Sequence, residues 1–264
     1  MNDWRLRKLE TRNAFENMAV DEAILEAKIK GLVPNTLRFY RWKPSAVSIG
    51  KFQNIEKEVQ LENCRKEGVD VVRRITGGGA VYHDAESEIT YSLIARKADL
   101  NAHDMLAVYA MVYAGIAKAL EILGLNVAFD EGNERNCPNL VFNGKKISGS
   151  AQSHKSGMVL QHGTLLLDVN LDKMFSFLRV PWAKTCMEAS AIAERKITSV
   201  SNELGKKVST EDMEQALVKG FEETFNIRLV DGSLTPYERE LAEKLYKEKY
   251  LNKQWNNGVE NKSG

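Results

Sequence analysis

Cysteine is scarce in this 264-residue chain, and the three it has, Cys64, Cys137 and Cys186, are an odd number with no two close together. There is no CxxC pair and no disulfide framework, a pattern that suits the reducing cytoplasm. Histidine is scarcer still for a metalloprotein: His83, His103, His154 and His162 are the whole set, which argues against a multi-histidine metal centre. An excess of one charge is lacking too. With 37 basic and 36 acidic side chains the net charge is +1, so no global field draws the chain to nucleic acid or to an anionic membrane. A local basic site can still hide inside a near-neutral total. Residues 1–10 are charged and have no apolar core, unlike a signal peptide. No apolar stretch reads as a membrane-spanning helix, and there is neither an internal repeat nor a low-complexity linker.

What is present is an ordinary globular composition, 43% hydrophobic and 28% charged. The length is enough to bury a core without staples. Apolar periodicity predicts a helix over 13–30, with Met18, Ala19, Ala23, Ile24 and Ala27 on one face and Gly31 closing it. Short strands are expected at 36–42 and 46–49, a helix at 59–67, and strands at 69–74 and 88–95. The clearest helix is 105–123, where Leu106, Met111, Val112, Ile116, Ala119, Leu120 and Leu123 form a broad stripe and Gly124 stands at C′. Strands 140–142 and 145–148 flank Asn143-Gly144, the strongest short-range hairpin signal, and 158–169 reads as a long apolar strand. Helices follow at 172–178, 211–225 and 237–250, the last opened by Thr235-Pro236-Tyr237-Glu238 as N-cap, N1 proline and capping glutamate. The expected fold is α+β: a mixed β-sheet flanked by helices, with a helical C-terminal portion.

Three segments carry chemistry. In Arg73-Arg74-Ile75-Thr76-Gly77-Gly78-Gly79-Ala80-Val81-Tyr82-His83-Asp84, glycines after a strand let backbone N–H groups converge on a phosphate or carboxylate. Alternation along the strand sends only one of the two arginines into such a site. The pattern is neither a Walker A loop nor GxGxxG, and a bare glycine run would read as a turn between solvated arginines. The arginine pair before it and His-Asp after it favour a binding loop. In Asn143-Gly144-Lys145-Lys146-Ile147-Ser148-Gly149-Ser150-Ala151-Gln152, the turn fixes register, so one lysine faces a pocket while the other stays in water. The small residues Ser148 to Ala151 leave room for a ligand beside that lysine. The third segment, Gln161-His162-Gly163-Thr164, is weak alone, since a lone strand histidine is usually structural; Gly163 marks a close backbone approach or a bulge.

Together these segments resemble the catalytic domain of lipoate–protein ligases, within the fold shared with biotin ligases and lipoyl/octanoyl transferases. Asn17 to Ala23, Leu37 to Trp42 and Ser48 to Gln53 extend the likeness to the whole chain. The resemblance implies a cytoplasmic enzyme that joins lipoate or octanoate to the α-phosphate of ATP, with Mg²⁺, and passes the acyl-adenylate's acyl group to an acceptor lysine. It implies Lys146 as the catalytic group between carboxylate and α-phosphate. Arg73, Arg74, Gly77, Gly78, Gly79, Ala80, Val81, Tyr82, His83, Asn139, Ser150, Ala151, His162, Gly163 and Thr164 are then expected to bind lipoate and ATP, with any Mg²⁺ near Asn139. The implied partners are lipoyl acceptor domains, of a 2-oxoacid dehydrogenase E2 or the H protein of glycine cleavage. Residues 1–264 are expected to form one catalytic domain without a C-terminal accessory domain, whose role would be absent or fall to a separate polypeptide.

The chain departs from the ligase pattern in two places. Pro138 and Asn139 stand where ligases usually carry Asn-Asp, and a neutral Asn139 is a poorer Mg²⁺ ligand. Ala85-Glu86-Ser87-Glu88 replaces Gly-Asn after His-Asp, closer to the cysteine-dependent octanoyltransferases, whose glycine loop, however, usually departs from the Gly-Gly-Gly-Ala kept here. Those enzymes carry an acyl-thioester on a cysteine ahead of the Gly-Lys-Lys strand, the place held here by Cys137, with Arg135 and Lys146 as candidates to lower its pKa. The ligase is the first expectation, the Cys137 transferase the alternative, and a non-catalytic carrier a third reading that leaves the lysine unexplained. Whether the Cys137 sulfur faces the pocket beside Lys146 separates the first two.

Overall fold

The computed structural model describes residues 2–133 and 137–258. Along the chain run β1 (Asn2–Arg12), α1 (Ala14–Ile29), β2 (Thr36–Trp42), β3 (Ala46–Ile49), α2 (Ile55–Glu58), α3 (Leu61–Lys66), β4 (Asp70–Arg73), β5 (Val81–His83) and β6 (Glu88–Arg96). Then come α4 (Met105–Ile122), β7 (Ala128–Asp130), β8 (Asn139–Phe142), β9 (Lys145–Lys155), β10 (Met158–Leu166), α5 (Leu171–Phe177), α6 (Cys186–Ala193), α7 (Val200–Leu204), α8 (Thr210–Phe225), β11 (Ile227–Asp231), α9 (Pro236–Leu245) and α10 (Lys253–Asn257). An eight-stranded mixed sheet has the order β11-β1-β2-β6-β10-β9-β8-β7, and a second sheet the order β4-β3-β5. The α+β expectation holds.

Local chemistry sets most boundaries. The Asn13 side chain caps α1 and Glu16 returns the bond, a full capping box. Thr235 and Glu238 do the same for α9, with Pro236 in its first turn. Asn143 and Gly144 take φ of 48° and 77° and turn β8 into β9, as an Asn-Gly hairpin requires. Two expectations need correction. The helix read at 59–67 is two short ones, because Val59 leaves helical geometry to bridge Leu178. The last helix read to residue 250 is regular only to Leu245; a wide turn of helix follows at 246–250. β1 was not foreseen: it is rich in charge, yet it lies between β2 and β11, with its buried Arg5 bonded to the fully buried Glu238 of α9.

The main core lies between the large sheet and the pair α4–α8, around Leu93, Val112, Ile116, Leu217 and Phe221. On the sheet's other face α1 and α9 bury Val20, Ile24 and Ala242 against Ile94 and Leu160. The small sheet packs Val47, Ile49 and Tyr82 on Phe175 and Phe177 of α5. Contrary to the sequence reading, α4 meets the length and hydropathy of a membrane span, with mean hydropathy 1.5 over 18 residues. Its Val108, Val112 and Ile116 face the core, whereas Met105, Leu106 and Ile122 remain exposed.

The α4–α8 crossing depends on two glycines. A Cβ on Gly220 would stand 2.5 Å from the Gly115 carbonyl oxygen and 2.6 Å from the Ala119 nitrogen, both backbone atoms that cannot swing aside. Glycine to alanine in an ordinary helix stabilises by roughly 0.5–1 kcal/mol. Here overpacking costs roughly 1–3 kcal/mol instead. Gly220→Ala should therefore lower Tm in a thermal melt by several degrees; an unchanged or raised Tm would contradict this helix contact.

Candidate active site

A cavity of about 450 Å³ opens between the small sheet and β9–β10 of the large one, a volume typical of small-molecule sites, roughly 300–1,000 Å³. One wall is apolar, made by Trp42, Phe175, Leu178, Val180, Trp182 and Ile197. The other carries Arg74, His83, Cys137, Asn139, Lys146 and His162. Gly78, Gly79, Ala80, Val81 and Tyr82 line it from the glycine loop, as do Ser150, Ala151, Gly163 and Thr164 from β9 and β10. The three chemistry-bearing segments of the sequence thus meet at one place.

Two expected residues fall outside. Arg73 does not enter the cavity: its guanidinium donates to the carbonyls of Gly50, Lys51 and Gln53, and to those of Trp255 and Asn256 beside α10. It ties the C-terminal hook to the 50–53 loop, which abuts the glycine loop at Gly78. Gly77 does not line the cavity either; its carbonyl is turned to Arg74. The pleat explains the arginine pair, since neighbours on β4 and its continuation face opposite sides. Arg135 lies outside the described residues.

Arg74 is buried and makes five hydrogen bonds, which uses all five of its donors: Nε to Thr76 Oγ1 at 3.0 Å, Nη1 to the Ser48 carbonyl and hydroxyl at 3.1 and 3.2 Å, and Nη2 to the carbonyls of Gly77 and Gly79 at 2.6 and 2.8 Å. No carboxylate of the described residues bonds to it. Burial pushes its pKa down to about 10, partly offset by the charge of Cys137, so it is a cation at neutral pH whose field reaches the cavity.

Lys146 reaches across Gly149 on β9. A Cβ on Gly149 would stand 2.5 Å from both Cε and Nζ of Lys146, so only glycine leaves the lysine its path. Burial lowers the Lys146 pKa; a charged Cys137 opposes this and Arg74 adds to it. The Cys137 sulfur lies 4.0 Å from where a Cβ on Gly78 would stand, a point 3.0 Å from Arg74 Nη2 and 3.6 Å from Ala151 Cβ. The cysteine side chain is solvent-exposed and still lines the cavity, because the cavity itself is open. Sulfur, guanidinium, ammonium and glycine loop share one corner.

The histidines support this corner. His162 lies between Thr76 Oγ1 at 2.8 Å and Asp21 Oδ2 at 3.0 Å. His83 lies between Ser48 Oγ and Glu88 Oε1, both at 2.8 Å, and stacks on Trp42 with centroids 4.0 Å apart. Burial lowers the His162 pKa, against the pull of Asp21. Sequence reasoning gave no site role to Asp21, Trp42 and Ser48, although they lie in segments that carry the family likeness, nor to Glu88, and it missed the wall from Phe175 to Trp182, which reads as ordinary core.

The donors fit an acyl chain better than a metal–nucleotide. Mg²⁺ is usually held by one or two carboxylates beside phosphate oxygens, and among the described residues no Asp or Glu lines the cavity. Asn139 Nδ2 donates to the Cys137 carbonyl at 2.6 Å, leaving one neutral oxygen. Arg74 has no donor to spare for a triphosphate.

This architecture defines a class, the acyl-transferring domains with a lysine and a glycine loop at one cavity, and the chain belongs to the lipoyl protein ligase A/B catalytic domain family, which it matches over residues 13–222. It is 37% identical to octanoyltransferase LipM of Clostridioides difficile, with 97% of this chain and 99% of that protein covered. It is 38% identical to octanoyltransferase LipM of Kyrpidia tusciae, over 97% and 99% of the two chains. Among solved structures it resembles a bipartite lipoate protein ligase of Thermoplasma acidophilum, described with its E2 lipoyl domain: TM-score 0.85, identity 31%, coverage 98% and 97%. A lipoate-protein ligase A bound with ATP gives TM-score 0.85 and 31% identity, with 98% and 100% covered. The protein is thus an enzyme of the lipoate ligase and octanoyltransferase family.

Two substitutions test the geometry. Gly149→Ala displaces only a flexible lysine tip, so Tm should hold while acyl transfer falls by about tenfold or more; full activity would show that the lysine's path is irrelevant. Arg73→Ala should cost about 1–3 kcal/mol in urea unfolding, because buried carbonyls lose their donors. An unchanged midpoint would mean that the C-terminal hook is not held by this residue.

Proposed function

We propose that this protein is a cysteine-dependent octanoyl (or lipoyl) transferase that forms a medium-chain acyl thioester on Cys137 and passes the acyl group to a lysine of a lipoyl domain. The observation that carries it is the Cys137 sulfur in the same corner as Arg74, Lys146 and the glycine loop. The octanoyltransferase names of the curated relatives support it, and so does a cavity with no carboxylate among the described residues that line it. Lys146, its basicity lowered by burial, takes the thiol proton, leaving a thiolate beside an ammonium. The thiolate attacks the carbonyl of an acyl thioester donor. The new C–S bond forms on Cys137 and the donor's sulfur departs with a proton. The acceptor's neutral amine then attacks the Cys137 thioester; the amide forms, the amine gives up a proton and the thiolate returns. Lys146 and the loop amides stabilise the oxyanion in both steps, while the apolar wall holds the tail. The two carboxylates that face the histidines, Asp21 and Glu88, take no part in either proton transfer.

The ATP-dependent ligase, the first expectation from sequence, becomes the second reading; the likeness to the ATP-bound ligase supports it. Mass spectrometry separates the two. Incubation with an octanoyl thioester and no ATP should add one octanoyl group to Cys137 and then modify an acceptor lipoyl domain or H protein. Cys137→Ser should reduce this by roughly 10³-fold or more. Transfer that needs ATP, survives Cys137→Ser and fails in Lys146→Ala would replace the transferase with the ligase. Absence of both would leave the non-catalytic carrier.

A further inference from the structure

Two hydrogen-bonded chains end on Arg74. A guanidinium can only donate. Asp21 is held ionised beside Arg38 and only accepts, so His162 Nδ1 carries a proton and donates it to Asp21. Burial lowers the His162 pKa, which leaves Nε2 bare to accept from Thr76 Oγ1, itself an acceptor from Arg74 Nε. The other side has the same layout: Ser48 Oγ accepts from Arg74 Nη1 and faces His83 Nε2, and His83 Nδ1–H meets the acceptor oxygen of Glu88. Each acid is anchored in turn: Asp21 accepts from Arg38 Nη1 at 2.7 Å and from Tyr40 OH at 3.0 Å, and Glu88 accepts from Thr90 Oγ1 at 3.1 Å. Asp21, Glu88, Ser48, Thr76 and both histidines are buried. Burial works to raise the Asp21 pKa, but Arg38 and His162 outweigh it and keep the carboxyl below its ordinary range.

The far side of the arginine shows what this rigidity serves. Nη2 holds the carbonyls of Gly77 and Gly79. In a trans peptide unit the carbonyl and the next residue's N–H point in opposite directions. With those two oxygens drawn to Arg74, the N–H groups of Gly78 and Ala80 point away from it. Neither amide donates a hydrogen bond within the described residues, and both residues line the cavity.

We infer that the two acid–histidine–hydroxyl relays, Asp21–His162–Thr76 and Glu88–His83–Ser48, are positioning devices for Arg74, which holds the Gly77 and Gly79 carbonyls back so that the Gly78 and Ala80 amides are free to receive the acyl oxygen. The inference rests on the acyl-transfer reading for the identity of that oxygen, though the relays themselves do not. Thr76, Ser48, His83 and His162 are positioning residues: they act on the acyl group through Arg74 and the loop. One orienting relay would suffice for a side chain that only filled space. Two relays, on Nε and on Nη1, fix both the position and the rotation of the guanidinium plane.

Two measurements test this. The first needs no activity. Ring ¹⁵N spectra of the whole protein at neutral pH, with the exposed His103 and His154 assigned by substitution, should show His83 and His162 protonated on Nδ1 and bare on Nε2. A proton on either Nε2 overturns the corresponding relay. The second is the rate of Cys137 thioester formation from an octanoyl thioester in Thr76→Val and Ser48→Ala, each checked for folding by its thermal melt. Each variant should lose about 10- to 100-fold in kcat, somewhat less than the loss of an oxyanion donor itself, with KM changed by less than about threefold. Thr76→Ser, which restores the hydroxyl, should recover to within about threefold of the parent. A lowered Tm with kcat per folded molecule unchanged, or no rescue by serine, overturns the inference. If Thr76→Val does not fold, Ser48→Ala and the ring spectra decide it. Failure of the parent protein to form any thioester sinks the proposed function, and the ring spectra then decide the relays separately.

Discussion

The structure turns on one buried cation, Arg74, that bonds to no carboxylate among the described residues. Burying a charge is costly unless it is hydrogen-bonded, and Arg74 meets that condition only with neutral partners: a threonine hydroxyl, a serine hydroxyl and three backbone carbonyls. Each partner belongs to a segment that must therefore stay in place. Ser48 is on β3, Thr76 follows β4, and Gly77 and Gly79 form the loop into β5. The small sheet and the loop are thus held to the arginine, and the arginine's charge, unspent on any carboxylate, is left to act on the thiol and lysine of the cavity.

A second consequence is that the site is assembled from both sheets. His162 on β10 and Lys146 on β9 come from the large sheet, while His83 on β5 comes from the small one. Cys137 lies just ahead of β8, close to the glycine loop only because β8 pairs with β9. A thiol, a lysine and a glycine loop line one cavity here, and no metal-ligand cluster occurs among the described residues. The apolar side chains from α5 to Trp182 line the same cavity. Arg73, one position away from Arg74, serves the opposite face, where it binds the C-terminal hook to the 50–53 loop. Adjacent arginines thereby divide the work, one for the chemistry and one for the frame that surrounds it.

Much of this was legible in residue order. The capping boxes at Asn13 and Thr235, the Asn143-Gly144 hairpin and the stripe of α4 are encoded in a few neighbouring residues, and each forms where its pattern predicts. The strand pleat correctly limited the arginine pair to one cavity residue and the lysine pair to Lys146. Less legible were β1, whose charges hide a buried strand, and the break at Val59, which comes from a bridge to Leu178 more than a hundred residues away. The ligase expectation weighed a local glycine motif against a single cysteine, and position in space is what favours the cysteine.

The sequence by itself determined the elements, the family and the inventory of reactive groups, because caps, turns, pleat and motif depend on contacts within about a dozen residues. Tertiary structure alone decided which groups meet: that Asp21 of α1 anchors His162, that Glu88 anchors His83, that both relays end on Arg74, and that Cys137 lies beside the glycine loop. The longest of those pairings spans 141 residues of chain, and even the short ones, His83 with Glu88 and Arg74 with Thr76, are set by sheet register and by the cost of leaving a buried charge unbonded, which no local pattern encodes.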